Sequence, residues 1–482
     1  MFNPVHILWI LAAPWIISSS GAAVITTPYI ALHGAPKYAQ AKSLPYANPQ
    51  APKGGILIQA ADGSFDNLNS MNGKGNVTEG INYIFDSLMS KSLDEPGVYY
   101  PLLAEKVSFD PKQTAYIIFH LNPKARFSNG QPVTAKDVKY SFDLYQTQSN
   151  FGLQMYLADI KKTEVLSPSK VKISFKSRHN PEMAMIVTQM PIYSQQEWQK
   201  RNFKDINLKP ILGSGPYVIE RIDAGRSISY KRNPHYWGKD LLVNRGRYNF
   251  DRIQYRYYRS PEIKFEAFKS GQFTLHEEKQ VNRWVSDYRF PAVQQGQIKT
   301  YRFQHHNPIP TQSLIFNTRR QPFADICFRQ ALTLAYDFEW LNKALFHGEY
   351  QRLNSFFSNS ELASTGKPSA QELKILQPNL SKLHPVQRQT VLQDWHYPQS
   401  DASGFNRKNL LQARQILLNA GYRYQQGKLV TAQGKPVQIE FLLHQAEQQR
   451  HLMPYLRHLK RLGIQAYIRM VETAQYYERL RN

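Results

Sequence analysis

Near its C-terminal end the sequence spells a unit that tightly restricts the architecture around it. Val437, Ile439, Phe441 and Leu443 alternate with mostly polar neighbours, the period of a strand with one buried face. Leu452, Leu456, Leu459 and Leu462 then recur at helical spacing up to Gly463, and residues 464–471 return to a β-rich run. Strand, helix and strand in immediate succession form a crossover connection, so the two strands pair in parallel. A parallel pair needs helices against its faces, which points to an α/β class.

Similar signals recur along the chain. Gly54-Gly55 opens a strand at residues 56–60, followed by a polar loop from Asp62 to Asn69 and a Gly-rich stretch from Asn72 to Asn76. Ile81, Ile84, Phe85 and Leu88 sit at i, i+3, i+4 and i+7, which predicts a helix with one apolar face. Residues 114–121 are β-rich and partly alternating. Thr134 begins a helix, with Asp137 placed to reach back to it and Val138, Phe142 and Tyr145 on one side. Ser260-Pro261-Glu262 has the capping oxygen, first-turn proline and acid of another helix start, and that helix stops at Gly271. Two helices run in series over residues 323–346, where Cys327, Phe328, Ala331, Leu332 and Ala335 share a face, so Cys327 reads as core rather than nucleophile.

The 482 residues suggest roughly three domains at about 150 residues each. With 42% hydrophobic and 20% charged residues, a large packed core is available and wholesale disorder is disfavoured. One cysteine excludes an internal disulfide and any all-cysteine metal site. Lysine and arginine number 60 against 36 acids, a net charge of +24. Such a surplus draws polyanions, but no three basic residues are consecutive, and the pattern is that of a dispersed positive surface rather than a nucleic-acid stripe.

The N-terminus carries an address. Residues 7–17 are apolar but shorter than the roughly 20 residues a membrane helix needs. Ser18-Ser19-Ser20-Gly21-Ala22-Ala23 follows, small residues suited to signal peptidase. Residues 1–23 therefore read as a signal peptide, although Met1 to His6 lack Lys and Arg, and the expected product is a soluble, exported, periplasmic chain. Motifs for chemistry are missing. There is no phosphate-binding G-x-x-x-x-G-K-[ST] string, and no serine has glycines two residues away on both sides. His276-Glu277-Glu278-Lys279-Gln280 has glutamine where a zinc helix needs its second histidine, and His305-His306 would point to opposite faces of a strand. The expectation is a protein that is no enzyme and has no cofactor and no metal site.

A series of segments then runs the length of the chain. It begins with Pro101-Leu102-Leu103-Ala104-Glu105 and Phe119-His120-Leu121-Asn122, followed by Phe127-Ser128-Asn129-Gly130-Gln131-Pro132-Val133-Thr134-Ala135-Lys136-Asp137-Val138. Gly213-Ser214-Gly215-Pro216-Tyr217 and Arg232-Asn233-Pro234-His235-Tyr236-Trp237 come next. Phe316-Asn317-Thr318, Pro322-Phe323-Ala324-Asp325 and Arg329-Gln330-Ala331 complete it. In these segments and their order the chain resembles bacterial extracellular solute-binding protein family 5, the peptide- and nickel-binding components of ABC importers. His33-Gly34, the run from Tyr46 to Gly55 and Phe65-Asp66-Asn67-Leu68-Asn69 look like a narrower subgroup linked to oligopeptides and peptide–nucleotide antibiotics of the microcin C type.

The resemblance implies a two-lobed, type II-like periplasmic binding protein with an extra inserted domain. Residues 24–84 and 182–275 would form a discontinuous domain I, residues 85–181 an inserted domain II, and residues 276–482 domain III. An oligopeptide or peptide conjugate would lie between the lobes, which close by hinge motion, and be delivered to ABC permease subunits in the inner membrane. By position, Phe65, Asp66, Asn69, Lys74, Gly75 and Asn76 would face the ligand from domain I, and Asn354, Ser355 and Phe356 from the other side. A monomer without nucleic-acid partners is expected. Most other motif residues read as structural, with Gly213, Gly215 and Pro216 shaping a turn into a strand. Two departures stand out. Gly271-Gln272-Phe273-Thr274 replaces a frequent Gly-Glu-x-Asp, and family members continue past the position of Asn482, so the expectation is a C-terminally truncated chain with an incomplete domain III. Two other readings compete: a basic exported protein acting on polyanions (a glycan or lipid enzyme, or an adhesin), and a non-functional truncated relative.

Overall fold

The computed structural model describes residues 24–32, 34–111, 115–177, 180 and 182–481. The expected signal peptide, residues 1–23, and His33 of the subgroup motif lie outside the described residues. The chain divides into two compact units, one ending at His276 and the other beginning at Glu277.

The first unit holds twelve described strands: β1 (Ile25–Thr27), β2 (Ile30–Ala31), β3 (Ile56–Asp62), β4 (Met89–Lys91), β5 (Val98–Pro101), β6 (Ala104–Phe109), β7 (Tyr116–Leu121), β8 (Ile160–Ser167), β9 (Lys170–Phe175), β10 (Tyr217–Asp223), β11 (Ser227–Arg232) and β12 (Arg252–Tyr258). They form three sheets, ordered β1-β6-β7-β9-β8, β10-β11-β12-β3 and β2-β5-β4. Strand β3 lies parallel to β12, with Ile56 opposite Arg252 and Asp62 opposite Tyr258, so distant stretches of sequence share one sheet. Residues 25–27, expected at the start of domain I, pair with β6 in the sheet of the expected domain II.

Alternation in β7 puts Ile117, Phe119 and Leu121 inward and Tyr116, Ile118 and His120 outward. Against this sheet packs α1 (Ala135–Gln148), whose Val138, Phe142 and Tyr145 are fully buried. Its start is fixed as the sequence suggests, because the Asp137 carboxylate accepts the Thr134 backbone N–H at 2.8 Å and the Thr134 hydroxyl at 2.7 Å. Short helices α2 (Phe151–Tyr156), α3 (Glu182–Thr188) and α4 (Gln195–Trp198) follow, and α5 (Pro261–Lys269) begins at Ser260, whose hydroxyl accepts the Ile263 N–H.

The helix predicted through Leu88 is a single 3-10 turn, Ile81–Ile84. All four apolar residues are buried, but the chain leaves the helix at Phe85 because Asp86 is tethered elsewhere. Its carboxylate accepts the Tyr236 hydroxyl and the Trp237 indole N–H, each at 2.9 Å, and its backbone N–H donates to Ser214 Oγ at 3.1 Å. The Gly215 N–H donates to Ile84 O at 2.9 Å. A Cβ on Gly213 would lie 1.7 Å from Ile84 O, and one on Gly215 would lie 2.6 Å from Ile84 C. The two sequence motifs around 213–217 and 232–237 thus meet at one buried joint. Burial pushes the Asp86 carboxyl up to about 7, against the opposing pull of its donors.

The second unit is mainly helical at first: α6 (Val281–Ser286), α7 (Pro291–Gln294), α8 (Ile326–Ala335), α9 (Phe338–Phe346), α10 (Ala370–Leu376), α11 (Pro385–Thr390) and α12 (Arg407–Asn419). A hairpin of β13 (Arg423–Gln425) and β14 (Lys428–Val430) leads to β15 (Gln438–Leu443), α13 (Ala446–Arg461), β16 (Gln465–Met470) and α14 (Thr473–Arg481). Strands β15 and β16 are parallel, with Gln438 opposite Gln465 and Leu443 opposite Met470, as the crossover unit requires. Helix α13 covers the pair, and Leu452, Leu459 and Leu462 join Phe328, Ala331 and Leu332 of α8 in one core. Cys327 is half-buried beside that core, and burial raises its thiol above the ordinary value, which favours the protonated form. Among the described residues no helix is long and apolar enough to cross a membrane.

Candidate functional site

In the first unit, β3 delivers the chain into a loop from Phe65 to Asn76 whose shape is set by three asparagines. Asn67, Asn69 and Asn72 each accept, through Oδ1, the backbone N–H two residues on, at 3.0 Å in every case. These are Asx turns, the conformation that short amide side chains favour. Their amide N–H groups are also used: Asn67 donates to Asn69 O, Asn72 Oδ1 and Lys74 O, Asn69 to Phe203 O, and Asn72 to Phe203 O and Asp205 O. All three are buried, and each satisfied amide avoids the cost of a buried polar group left unpaired, about 1–3 kcal/mol.

This scaffold divides the six residues expected at the ligand. Phe65 is buried against Tyr257, with ring centroids 4.7 Å apart, and Asn69 is buried with both amide atoms engaged, so these two lie beneath the loop. Asp66, Lys74, Gly75 and Asn76 are exposed on it. Asp66 Oδ1 accepts the Asn76 N–H at 2.6 Å, and a Cβ on Gly75 would meet that same oxygen at 2.4 Å, so the close approach demands glycine. Among the described residues the Lys74 ammonium has no ion-pair partner. The loop leans on the start of α2 through the Asn150 N–H, which donates to Met71 O at 3.0 Å. Beyond that contact, Phe151, Met155 and Tyr156 of α2 are each about 60% exposed. A cavity of about 470 Å³ opens beside them, lined by Met155, Tyr156, Asp159, Glu182, Met183 and Ile186.

In the second unit, the segment after α9 carries Asn354, Ser355 and Phe356. Asn354 Oδ1 accepts the Tyr397 N–H at 3.2 Å, and its Nδ2 lies 3.1 Å from His396 Nδ1, which joins this segment to residues 396–397. Ser355 is half-buried, and its hydroxyl accepts the Phe357 and Ser364 N–H groups, both at 3.2 Å. Phe356 projects outward, 85% exposed. Sequence reasoning passed over Arg352, two residues before Asn354. Its guanidinium lies 4.4 Å from the Tyr397 ring centroid, 5.7 Å from Tyr336 and 5.8 Å from Phe338. The aromatic neighbours come from distant sequence, so no local pattern announces them. For Asn67 and Asn72 a signal exists, in asparagines spaced through a Gly-rich loop.

Comparison with known proteins agrees with this architecture. The family model for "Bacterial extracellular solute-binding proteins, family 5 Middle" matches residues 98–482. A binding protein of Brucella melitensis is 37% identical over 99% of this chain and 80% of its own. The probable peptide-binding protein YejA of Agrobacterium fabrum is 35% identical over 91% of this chain and 72% of its own. Among solved structures, NikA from Brucella suis in complex with Fe(III)-EDTA superposes with a TM-score of 0.65 at 19% identity, covering 89% of this chain and 77% of that one.

Proposed function

Because the chain belongs to the bacterial extracellular solute-binding proteins, family 5, we propose that it captures short peptides or peptide conjugates in the periplasm and delivers them to the membrane permease of an ABC importer. The peptide reading is carried by the 35% identity to a probable peptide-binding protein over most of the chain. The family and its fold are those of substrate-binding proteins rather than enzymes. Asp66, Lys74, Gly75 and Asn76 on the first unit, and Asn354, Ser355 and Phe356 on the second, are the contact segments of this reading, with Phe65 and Asn69 as supports. An exposed carboxylate and an exposed ammonium on one rigid loop suit a zwitterionic ligand, and peptide main chains offer matching donors and acceptors. The discontinuous domain I, inserted domain II and domain III of the family plan complete the proposal, with residues 1–23 as the export signal.

Native mass spectrometry after incubation with a defined library of free di- to pentapeptides tests it. The expected result is retention of peptide masses in one-to-one complexes. No retained peptide at millimolar library concentration, together with tight binding to heparin or anionic vesicles, would replace this reading with a polyanion-binding one.

A further inference from the structure

Arg352 stands out among the basic residues of the second unit because its surroundings immobilise it without neutralising it. The planar guanidinium is held against the Tyr397 ring at 4.4 Å and flanked by Tyr336 and Phe338. Among the described residues one of its five N–H donors is engaged, from NH1 to Pro398 O at 2.8 Å. The same 395–398 segment is gripped by Asn354, two residues further along, through the Tyr397 N–H. Trp395 packs edge-on against Tyr397, with ring centroids 4.6 Å apart.

No carboxylate lies within ion-pair distance of Arg352 among the described residues. The acid that faces it is Glu339, whose Oε2 accepts the Ser400 N–H at 2.9 Å. Asp337, on the same turn, accepts the Trp340 N–H and the Ser400 hydroxyl through Oδ1, while its buried Oδ2 has no hydrogen-bond partner among the described residues. Burial among the rings lowers the guanidinium from its ordinary value, which Glu339 partly offsets. A half-buried cation, held among aromatic rings with most of its donor fork unused among the described residues, is pre-organised for a planar anion, because little rotamer entropy is lost on binding. The exposed ring of Phe356, four residues on, supplies apolar surface next to the segment that carries the cation.

We propose that Arg352 is the seat for a carboxylate of the bound ligand, taken bidentately by the free edge of the guanidinium while Tyr397 holds its face. This rests on the peptide-capture reading above and adds which end or side chain of the peptide is read. The carboxylate has two possible sources, the peptide C-terminus or an acidic side chain.

The experiment uses the full chain and three versions of one peptide library: free acid, C-terminally amidated, and fully methyl-esterified. Retention is measured by native mass spectrometry for the wild type, Arg352→Gln and Arg352→Lys. The expected result is a loss of retention of at least about tenfold on blocking the relevant carboxylate, the scale of a charge-assisted pair. Arg352→Gln abolishes the discrimination between free and blocked libraries, and Arg352→Lys restores part of it. Loss on amidation places the C-terminal carboxylate at Arg352, and loss on esterification alone places an acidic side chain there. A merely structural arginine would weaken free and blocked libraries equally, and equal retention of all three by the wild type would overturn the assignment while leaving peptide capture standing. Retention of none would overturn peptide capture and this assignment with it.

Discussion

Replacing Asp86 by asparagine isolates the buried joint between residues 84–86 and the 213–237 motifs. The side chain is fully enclosed, and its carboxyl is raised from 3.8 to about 7 by loss of solvent. The folded protein therefore holds a proton on Asp86 over a range where the unfolded chain has released it. Stability from this group is fully present below about pH 4 and is lost as pH rises through about 7. At about 1.4 kcal/mol per pH unit, the gap between the two values amounts to about 4 kcal/mol. Asparagine does not titrate, so the difference in stability between wild type and Asp86→Asn should shift by that amount between pH 4 and pH 8, in favour of the variant at the alkaline end. The variant also carries a pH-independent cost. Its single amide oxygen can accept from Trp237, but its N–H group then faces Tyr236, whose oxygen already accepts from Asn244 at 3.0 Å. Urea unfolding read by hydrogen–deuterium exchange of peptides covering residues 84–90 and 213–237 reports this unit alone. Parallel stability curves for the two proteins from pH 4 to pH 8 would refute the reasoning.

Three further expectations follow from the same geometry. Gly213→Ala forces a methyl to within 1.7 Å of Ile84 O, a backbone atom that cannot swing aside, and should destabilise the first unit by more than about 3 kcal/mol in urea unfolding; a loss below about 1 kcal/mol would show that the turn relaxes freely. Asn67→Ala removes an amide whose two N–H groups are shared among Asn69 O, Asn72 Oδ1 and Lys74 O, together with an Asx turn, and should cost about 2–3 kcal/mol, with faster amide exchange at Asn69 and Thr78; unchanged exchange there would contradict the loop's construction. Cys327 should react with a thiol reagent more slowly at pH 8 than an unfolded-chain thiol and reach the free rate in urea, whereas a fast native reaction would mean an activated thiolate.

Periodicity made much of this fold legible in advance. The β15-α13-β16 crossover, the capped start of α1 and the two-helix run of α8 and α9 all rest on signals local to the sequence, where propensity and burial agree. The failure at residues 81–88 is instructive for the opposite reason. Helical spacing there is real and every apolar residue is buried, yet tertiary bonds from Ser214, Gly215, Tyr236 and Trp237 pull the chain straight after one turn. The construction of the candidate loop was partly legible in the same sense. A Gly/Asn-rich loop was recognisable, but which residues point out and which are struts depends on Phe203, Asp205 and Tyr257, all distant in sequence. Arg352 acquires its character entirely from Tyr336, Phe338 and Tyr397, so nothing adjacent to it could reveal it.

Peptide capture is the role proposed for this member of the family. The most direct measurement is native mass spectrometry of the protein purified from its native host without added ligand, and then again after unfolding. Excess masses of short peptides or peptide conjugates are expected on the folded protein, released on unfolding and identifiable by fragmentation. A folded protein that carries a metal chelate or a glycan instead, with no peptide displaced or taken up on titration, would contradict it.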